Sequence, residues 1–332
     1  MHEASSPAML SRIAKVSVTV LMLWLLSRQV DWVELRTTLA NFTWWTFVVA
    51  IVIQVLVFIL GTLRWQFFFR HENLLYTLRD LLRPYFIGVL FNNVLPAATG
   101  GDVMRVYYIL RKGHSAAIAA SPVITERIIG STVMFGIATS ALPFITIKAD
   151  WLSILSIVIP MIFIGLMICL VLLGWPTAYQ VIHRLFKRWK HYRLGRTLLG
   201  VINATHRYLG DTPLVLRVVG LSALMQLVQI LVFWVLALGI GSNISFIQYT
   251  LAIPLILIAA SLPISIGGLG VREAAAVTLF VAIGMESSQA TAVAILFLPV
   301  LILSSLPGLY FFMKTRNHNA LLQDAQQDRL IV

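Results

Sequence analysis

From Leu152 to Gly174 not one side chain is charged, and the stretch from Val218 to Gly239 repeats the pattern. An α-helix needs about 20 such residues to cross the ~30 Å hydrocarbon core of a bilayer. No water in that core can satisfy exposed backbone, so only helices or a closed barrel can span it. Barrel strands are short and alternate in polarity, whereas these runs are long and continuous. The fold class is therefore an all-α polytopic membrane protein. Composition agrees: the chain is 59% hydrophobic and 11% charged, against about 25% charged in soluble domains, and its mean hydropathy is +0.89.

The net charge of +12 does not imply a nucleic-acid partner. Basic residues flank the apolar runs or gather at 183–217, where Arg184, Lys187, Arg188, Lys190, Arg193, Arg196, Arg207 and Arg217 meet one acid, Asp211. That pattern serves topology and anionic headgroups. Full spans are expected at about 11–28, 43–63, 116–147, 152–174, 218–239 and 290–313. Cationic loops stay cytoplasmic, which places both termini, 64–83, 105–113 and 183–217 inside, and leaves 28–42, where Arg28 and Arg36 cancel Asp31 and Glu34, as a loop outside. Pro84–Leu95 and Asp102–Leu110 are each too short to cross, so 84–104 dips in and returns. Parity requires 246–289 to do the same from the other face. One integral domain, 1–332, thus carries about six spans, two oppositely oriented re-entrant hairpins, a basic cytoplasmic loop at 183–217 and a short polar tail at 314–332. Within the loop, 183–193 reads either as a topology signal or as an amphipathic surface helix. Arg12 and Lys15 precede an apolar run with no small-residue cleavage site after it, which reads as a retained signal anchor.

The two hairpins carry the same interruption. Leu95-Pro96, Gly100-Gly101 and Arg105 recur 167 residues later as Leu262-Pro263, Gly267-Gly268 and Arg272. With the opposed orientations, this predicts an inverted repeat with halves at about 43–147 and 218–313. Paired breaks at corresponding positions point to a transporter's binding site. Proline stops the first half-helix, and a glycine pair allows positive φ and exposes its amides. The next half-helix aims its N-terminal N–H groups at the break, an end that favours anions. An arginine about one turn in adds a bidentate donor for phosphate.

The candidate substrate-binding set is Asn93, Gly100, Gly101, Asp102, Arg105, Glu126, Arg127, Gly267, Gly268, Arg272 and Glu273. Plainer readings stand beside it. Asp102 can be a helix N-cap, Arg105 a topology signal, and the charges a structural network pairing Glu126 with Arg105 or Arg272 and Glu273 with Arg127. Adjacent residues such as Glu126 and Arg127 do not face each other on a helix. Asn92-Asn93 either touch a headgroup or satisfy broken backbone. Arg64 and Trp65, at a span end, read as interfacial anchors.

Other chemistry is not signalled. Cys169 is the only cysteine, and Cys/His metal spacing is absent. His2, His71, His114, His183, His191, His206 and His318 fall in expected tails or loops. The sequence has no H-E-x-x-H, no G-x-S-x-G and no Walker motif. No cofactor, metal or catalytic residue is expected.

The motifs NNVLPAATGGDVMR (92–105), ER (126–127) and LPISIGGLGVRE (262–273) resemble the membrane domain of the lysylphosphatidylglycerol synthase family, the flippase-like domain, over about 10–313. In its best-known members, the multiple peptide resistance factors, this domain moves aminoacylated phosphatidylglycerol to the outer leaflet. Others are linked to polyprenyl-linked sugars or hopanoids. The resemblance implies a lipid translocase in a bacterial-type inner membrane rather than an enzyme, taking lipids with anionic headgroups. It departs from the synthases in that only 314–332 follows the last expected span, without their soluble transferase domain. The alternatives are an accessory subunit that docks a lipid-modifying or glycosyl transferase on 183–217, and a membrane-embedded enzyme.

Overall fold

The computed structural model describes residues 7–94, 100–145, 153–188, 192–262, 264–265 and 267–328. Among these there is no strand. The helices are α1 (Pro7–Gln29), α2 (Trp32–Ala40), α3 (Trp44–His71), α4 (Leu78–Val94), α5 (Gly100–Arg111), α6 (Ala116–Ala141), α7 (Leu155–Gly174), α8 (Pro176–Lys187), α9 (Arg193–Gly210), α10 (Thr212–Gly239), α11 (Phe246–Ser261), α12 (Val271–Ala282) and α13 (Ser287–Asp328), with a 3-10 turn at Leu142–Phe144 after α6.

Local chemistry sets several boundaries. Asp31 caps α2 by accepting from Val33 and Glu34 N–H. Ser115 caps α6 through Ile118 N–H, Asp211 caps α10 through Leu214 N–H, and Ser245 with Gln248 forms a capping box on α11. Each side-chain oxygen satisfies a donor that the first helical turn leaves orphaned.

Five helices are long and apolar enough to cross a membrane: Trp44–His71, Ala116–Phe144, Leu155–Gly174, Thr212–Gly239 and Ser287–Lys314. The sixth expected span, 11–28, lies in α1. The pair Lys15–Arg28 and Trp32–Ala40, bent by 86°, makes a sixth only if counted together.

Two expectations are corrected, and a third, the polar tail, is made more specific. The stretch 28–42 is not a loop, because capped α2 occupies it. The segment 183–217 is mostly helical. Val201, Ala204 and Tyr208 of α9 are buried, the last two in a cluster with Phe68, Ile129, Leu214 and Val218, and Thr205 hydrogen-bonds Thr125 at 2.9 Å. Arg196 and Arg207 of α9 face outward because the opposite face packs. The tail is also helical, since α13 runs unbroken to Asp328. His71, His183, His206 and His318 consequently lie on helices, while His2 and His191 fall outside the described residues.

The two stretches expected to be repeats build similar elements in the same order. α3 and α10 have 28 residues each, α4 and α11 have 17 and 16, and α5 and α12 have 12 each. Each stretch supplies its own core. Phe58, Trp65, Phe69, Leu81, Tyr85, Phe86, Ile109 and Ala119 form one cluster, and α10–α13 supply most of the other, including Phe233, Tyr249, Phe280 and Phe297. The seam is α3 against α10, running antiparallel. Thr43 N–H donates to Gly239 C=O at one end, Gln54 and Gln229 exchange amide hydrogen bonds of 3.3 and 3.0 Å, and Arg64 donates to Ser222 at 2.9 Å towards the other end.

The α4–α5 and α11–α12 pairs are hairpins with their feet at opposite ends of this seam. The feet of the first meet where Tyr76 bonds His114 at 2.7 Å, at the C-terminal end of α3. Those of the second meet where Gln248 donates to Ile283 C=O at 3.1 Å.

Candidate functional site

The two hairpins touch at their tips. A Cβ placed on Gly267 would lie 3.0 Å from Asn93 O and 3.2 Å from Asn92 O, so the second break packs against the end of α4. Leu95, Pro96, Pro263 and Ile266, also parts of the motifs, fall outside the described residues.

The repeated motif folds differently at its two occurrences. α5 begins at Gly100, so Gly100 and Gly101 are its first turn. No positive φ is recorded for either. The expectation of a positive-φ turn is corrected here: what Gly101 needs is room. An added Cβ would lie 2.0 Å from Gly88 O, where α4 and α5 cross. At the second break the expectation holds, since Gly267, Gly268 and Gly270 have φ of 57°, 79° and 79°. There α12 starts three residues after the pair, at Val271. Arg105 is therefore more than a turn into its helix, while Arg272 sits in the first turn.

Around the first break the charges converge. Arg105 donates to Glu126 at 2.6 Å and also to Asp102. Asp102's other oxygen takes Nε and Nη2 of Arg127. Arg64 reaches in from α3, with its Nε 3.7 Å from Glu126 Oε2. Tyr85 and Trp65 wall the cluster, with their ring centroids 4.9 and 5.5 Å from the Arg105 guanidinium carbon. Arg127, the residue after Glu126, lies eleven residues from the α6 start at Ala116, or about 16 Å along the helix, half the thickness of a hydrocarbon core. Three guanidiniums share two carboxylates, which leaves one positive charge in excess.

These pairings decide between the earlier readings. Asp102 is the third residue of α5, not its N-cap, and serves as counter-ion to Arg105 and Arg127. Arg105 points inward rather than marking a surface. Glu126 pairs with Arg105, as one reading had it. Arg127 pairs with Asp102 and not with Glu273. Asn92 satisfies broken backbone by accepting from Gly101 N–H at 2.7 Å, and Asn93 Nδ2 lies 3.5 Å from Leu301 O. Arg64 and Trp65 are not interfacial anchors: Trp65 is fully buried and Arg64 joins the cluster. Gly61 and Phe68, which flank Arg64 at i−3 and i+4, are both buried, and this row turns Arg64 inward.

The second break is compact and closed. Glu273 accepts from Gly270 N–H at 2.6 Å, closing the first turn of α12 as a cap does, while its other oxygen takes Nε of its neighbour Arg272 at 3.0 Å. Adjacent residues meet here because both side chains wrap the helix start. The Phe297 ring lies 5.3 Å from the Arg272 guanidinium carbon, and Thr19 and Met22 of α1 pack over Gly270. Among the described residues no ion pair joins this pair to the cluster at the first break.

The family profile of the lysylphosphatidylglycerol synthase TM region matches residues 12–306. A UPF0104 membrane protein of Pyrococcus horikoshii is 24% identical over 273 residues, covering 74% of this chain and 80% of that protein. The matched region begins in α1, ends in α13 and contains both breaks with all their charged side chains, and the chain accordingly belongs to the lysylphosphatidylglycerol synthase TM-region family, membrane proteins associated with lipid metabolism or transport.

Proposed function

We propose that this protein is a translocase that moves a phosphate-bearing lipid, such as an aminoacylated phospholipid or a polyprenyl-phosphate-linked lipid, across the inner (cytoplasmic) membrane without altering it. The hairpins act as re-entrant halves of an inverted repeat, with both termini on the cytoplasmic side. The supporting observation is the excess charge at the first break. Arg64, Arg105 and Arg127 against Asp102 and Glu126 leave room for one monoanion, the charge of a phosphodiester, beside the meeting hairpin tips. Arginine forks suit phosphate geometry. Of the glycine amides in the candidate set, that of Gly101 is already taken by Asn92, which leaves the arginines as the main donors.

The test is reconstitution in liposomes carrying headgroup-fluorescent phosphatidylglycerol or a polyprenyl phosphate, with movement read by a membrane-impermeant quencher. Wild type is expected to move lipid, and Arg105→Lys, which keeps a cation between Asp102 and Glu126 but loses the guanidinium fork, to slow it while remaining folded. Equal movement in both would reduce the cluster to a structural role. No movement with any lipid, by protein that elutes as a single folded species, would favour the accessory reading, with the outward cations of α8 and α9 as the docking surface for a transferase.

A further inference from the structure

The two breaks differ in what reaches the surface. The side chains of Arg272 and Glu273 are 5% and 8% exposed, whereas that of Arg127 is 45% exposed while it holds Asp102. The helix beside Arg127 has two distinct faces. Gly101, Arg105 and Ile109 of α5, four residues apart, are buried with Asp102. Val103, Tyr107 and Arg111, also four apart, are exposed together with Leu110. Residues four apart share a helix face, so this stripe runs the length of α5, about 12 Å from Val103 to Arg111 at 1.5 Å per residue.

Cations close both ends of the stripe. At one end the Arg111 guanidinium carbon lies 5.8 Å from the Tyr107 ring centroid, beside Lys112, whose ammonium lies over Tyr76 and Tyr108. At the other end Val103 adjoins Asp102, which Arg127 binds. An apolar stripe between two cationic stations matches a lipid whose phosphate travels while its chains stay in the bilayer. An apolar helix laid on it would leave the outer Arg127 surface without a counter-charge.

Resting on the translocase reading, we propose that this face of α5 is the lateral access track for the lipid. The phosphate passes from Arg111 and Lys112 to Arg127, where it displaces Asp102, and the acyl chains slide along Val103 and Tyr107. The exchange is conservative. Arg127 already offers Nε and Nη2 to one oxyanion, and two phosphate oxygens match that fork. Asp102 is not orphaned on release, because Arg105 retains its other oxygen. The second break offers no such station.

The experiment uses the full chain in phosphatidylcholine vesicles containing radiolabelled phosphatidylglycerol. A photoreactive benzoylphenylalanine replaces Tyr107 on the track or, as control, Ile164 on the exposed face of α7. Phosphatidylglycerol is expected to be captured preferentially at 107. Adding Arg127→Gln should lower that capture about tenfold, the scale of one lost charge-assisted contact, and Arg127→Lys should restore part of it. Arg127→Gln leaves Asp102 paired with Arg105, and its folding is checked by gel filtration and thermal unfolding. Equal capture at 107 and 164, or capture indifferent to Arg127→Gln, would overturn the track. Competition by excess inorganic phosphate would overturn it too, in favour of a soluble anion. Lipid movement is followed in the same vesicles. Movement without selective capture removes the track alone; selective, Arg127-dependent capture without movement supports the track as a binding groove and removes the translocase.

Discussion

Arg105 is the side chain on which the first break most depends. It is buried, carries two carboxylates and lies against two aromatic rings. Removing one member of a buried ionic cluster strands the others, at a cost of about 3–5 kcal/mol. Arg105→Ala is therefore expected to lower the thermal unfolding temperature in detergent markedly, while Arg127→Gln, which loses a half-exposed contact, costs below about 1 kcal/mol. Similar losses for both would show that exposure does not rank these pairs. The sequence displayed the charges but not the partners. Glu126 and Asp102 each had several arginines within plausible reach, and the choice was made by how α3, α5 and α6 pack, which no local spacing encodes. Arg64 was misread for the same reason: its nearness to a helix end suggested an interface, while its buried flanking row pointed inward.

Elements were more legible where chemistry is local. Proline and glycine gave both breaks, and apolar length gave the spans. The Asp31 cap of α2 and the packed face of α9 were readable in principle but were overridden by charge, which in 28–42 and 183–217 looked like solvated loop. Hairpin crossings depend on space instead. Gly101→Ala would set a methyl 2.0 Å from Gly88 O and force α4 from α5, so loss of folded yield is expected. Gly165→Ala in α7, with nothing within 4 Å, should be neutral or stabilising by about 0.5–1 kcal/mol. Both are read by detergent gel filtration and melting. At the start of α4, Thr77 N–H and Oγ1 donate to Asp80 Oδ2 at 3.0 and 2.6 Å, and these hydrogen bonds hold the Asp80 carboxyl below its ordinary range. A depressed carboxylate pKa contributes stability above the unfolded value, near 3.9, that is lost as pH falls through the folded one. Hydrogen-exchange protection of the first turn of α4 is thus expected to fall on acidification below about pH 4, and Thr77→Ala to blunt that change. An unchanged pH response in the variant would remove Thr77 as the cause.

At the scale of the whole molecule, the α3–α10 seam joins the two cores through one reciprocal amide pair. Gln54 and Gln229 are both buried, each donates to the other, and they sit between the Thr43–Gly239 and Arg64–Ser222 contacts. A buried amide is tolerated only when paired, and stranding it costs about 1–3 kcal/mol, whereas replacing both partners by apolar groups of similar shape is nearly neutral. Gln54→Leu or Gln229→Leu alone is therefore expected to destabilise by that amount, and the double variant to recover most of it, giving a coupling energy readable from a thermal-unfolding cycle. The same set also separates stability from motion. If the halves rock against each other during transport, the seam is where they slide, and the reciprocal pair fixes its register. The double leucine variant would then remain stable yet move lipid at an altered rate in the liposome assay. Wild-type rates in a stable double variant would mean that the seam is a static joint, and that any alternation of access is confined to the hairpins.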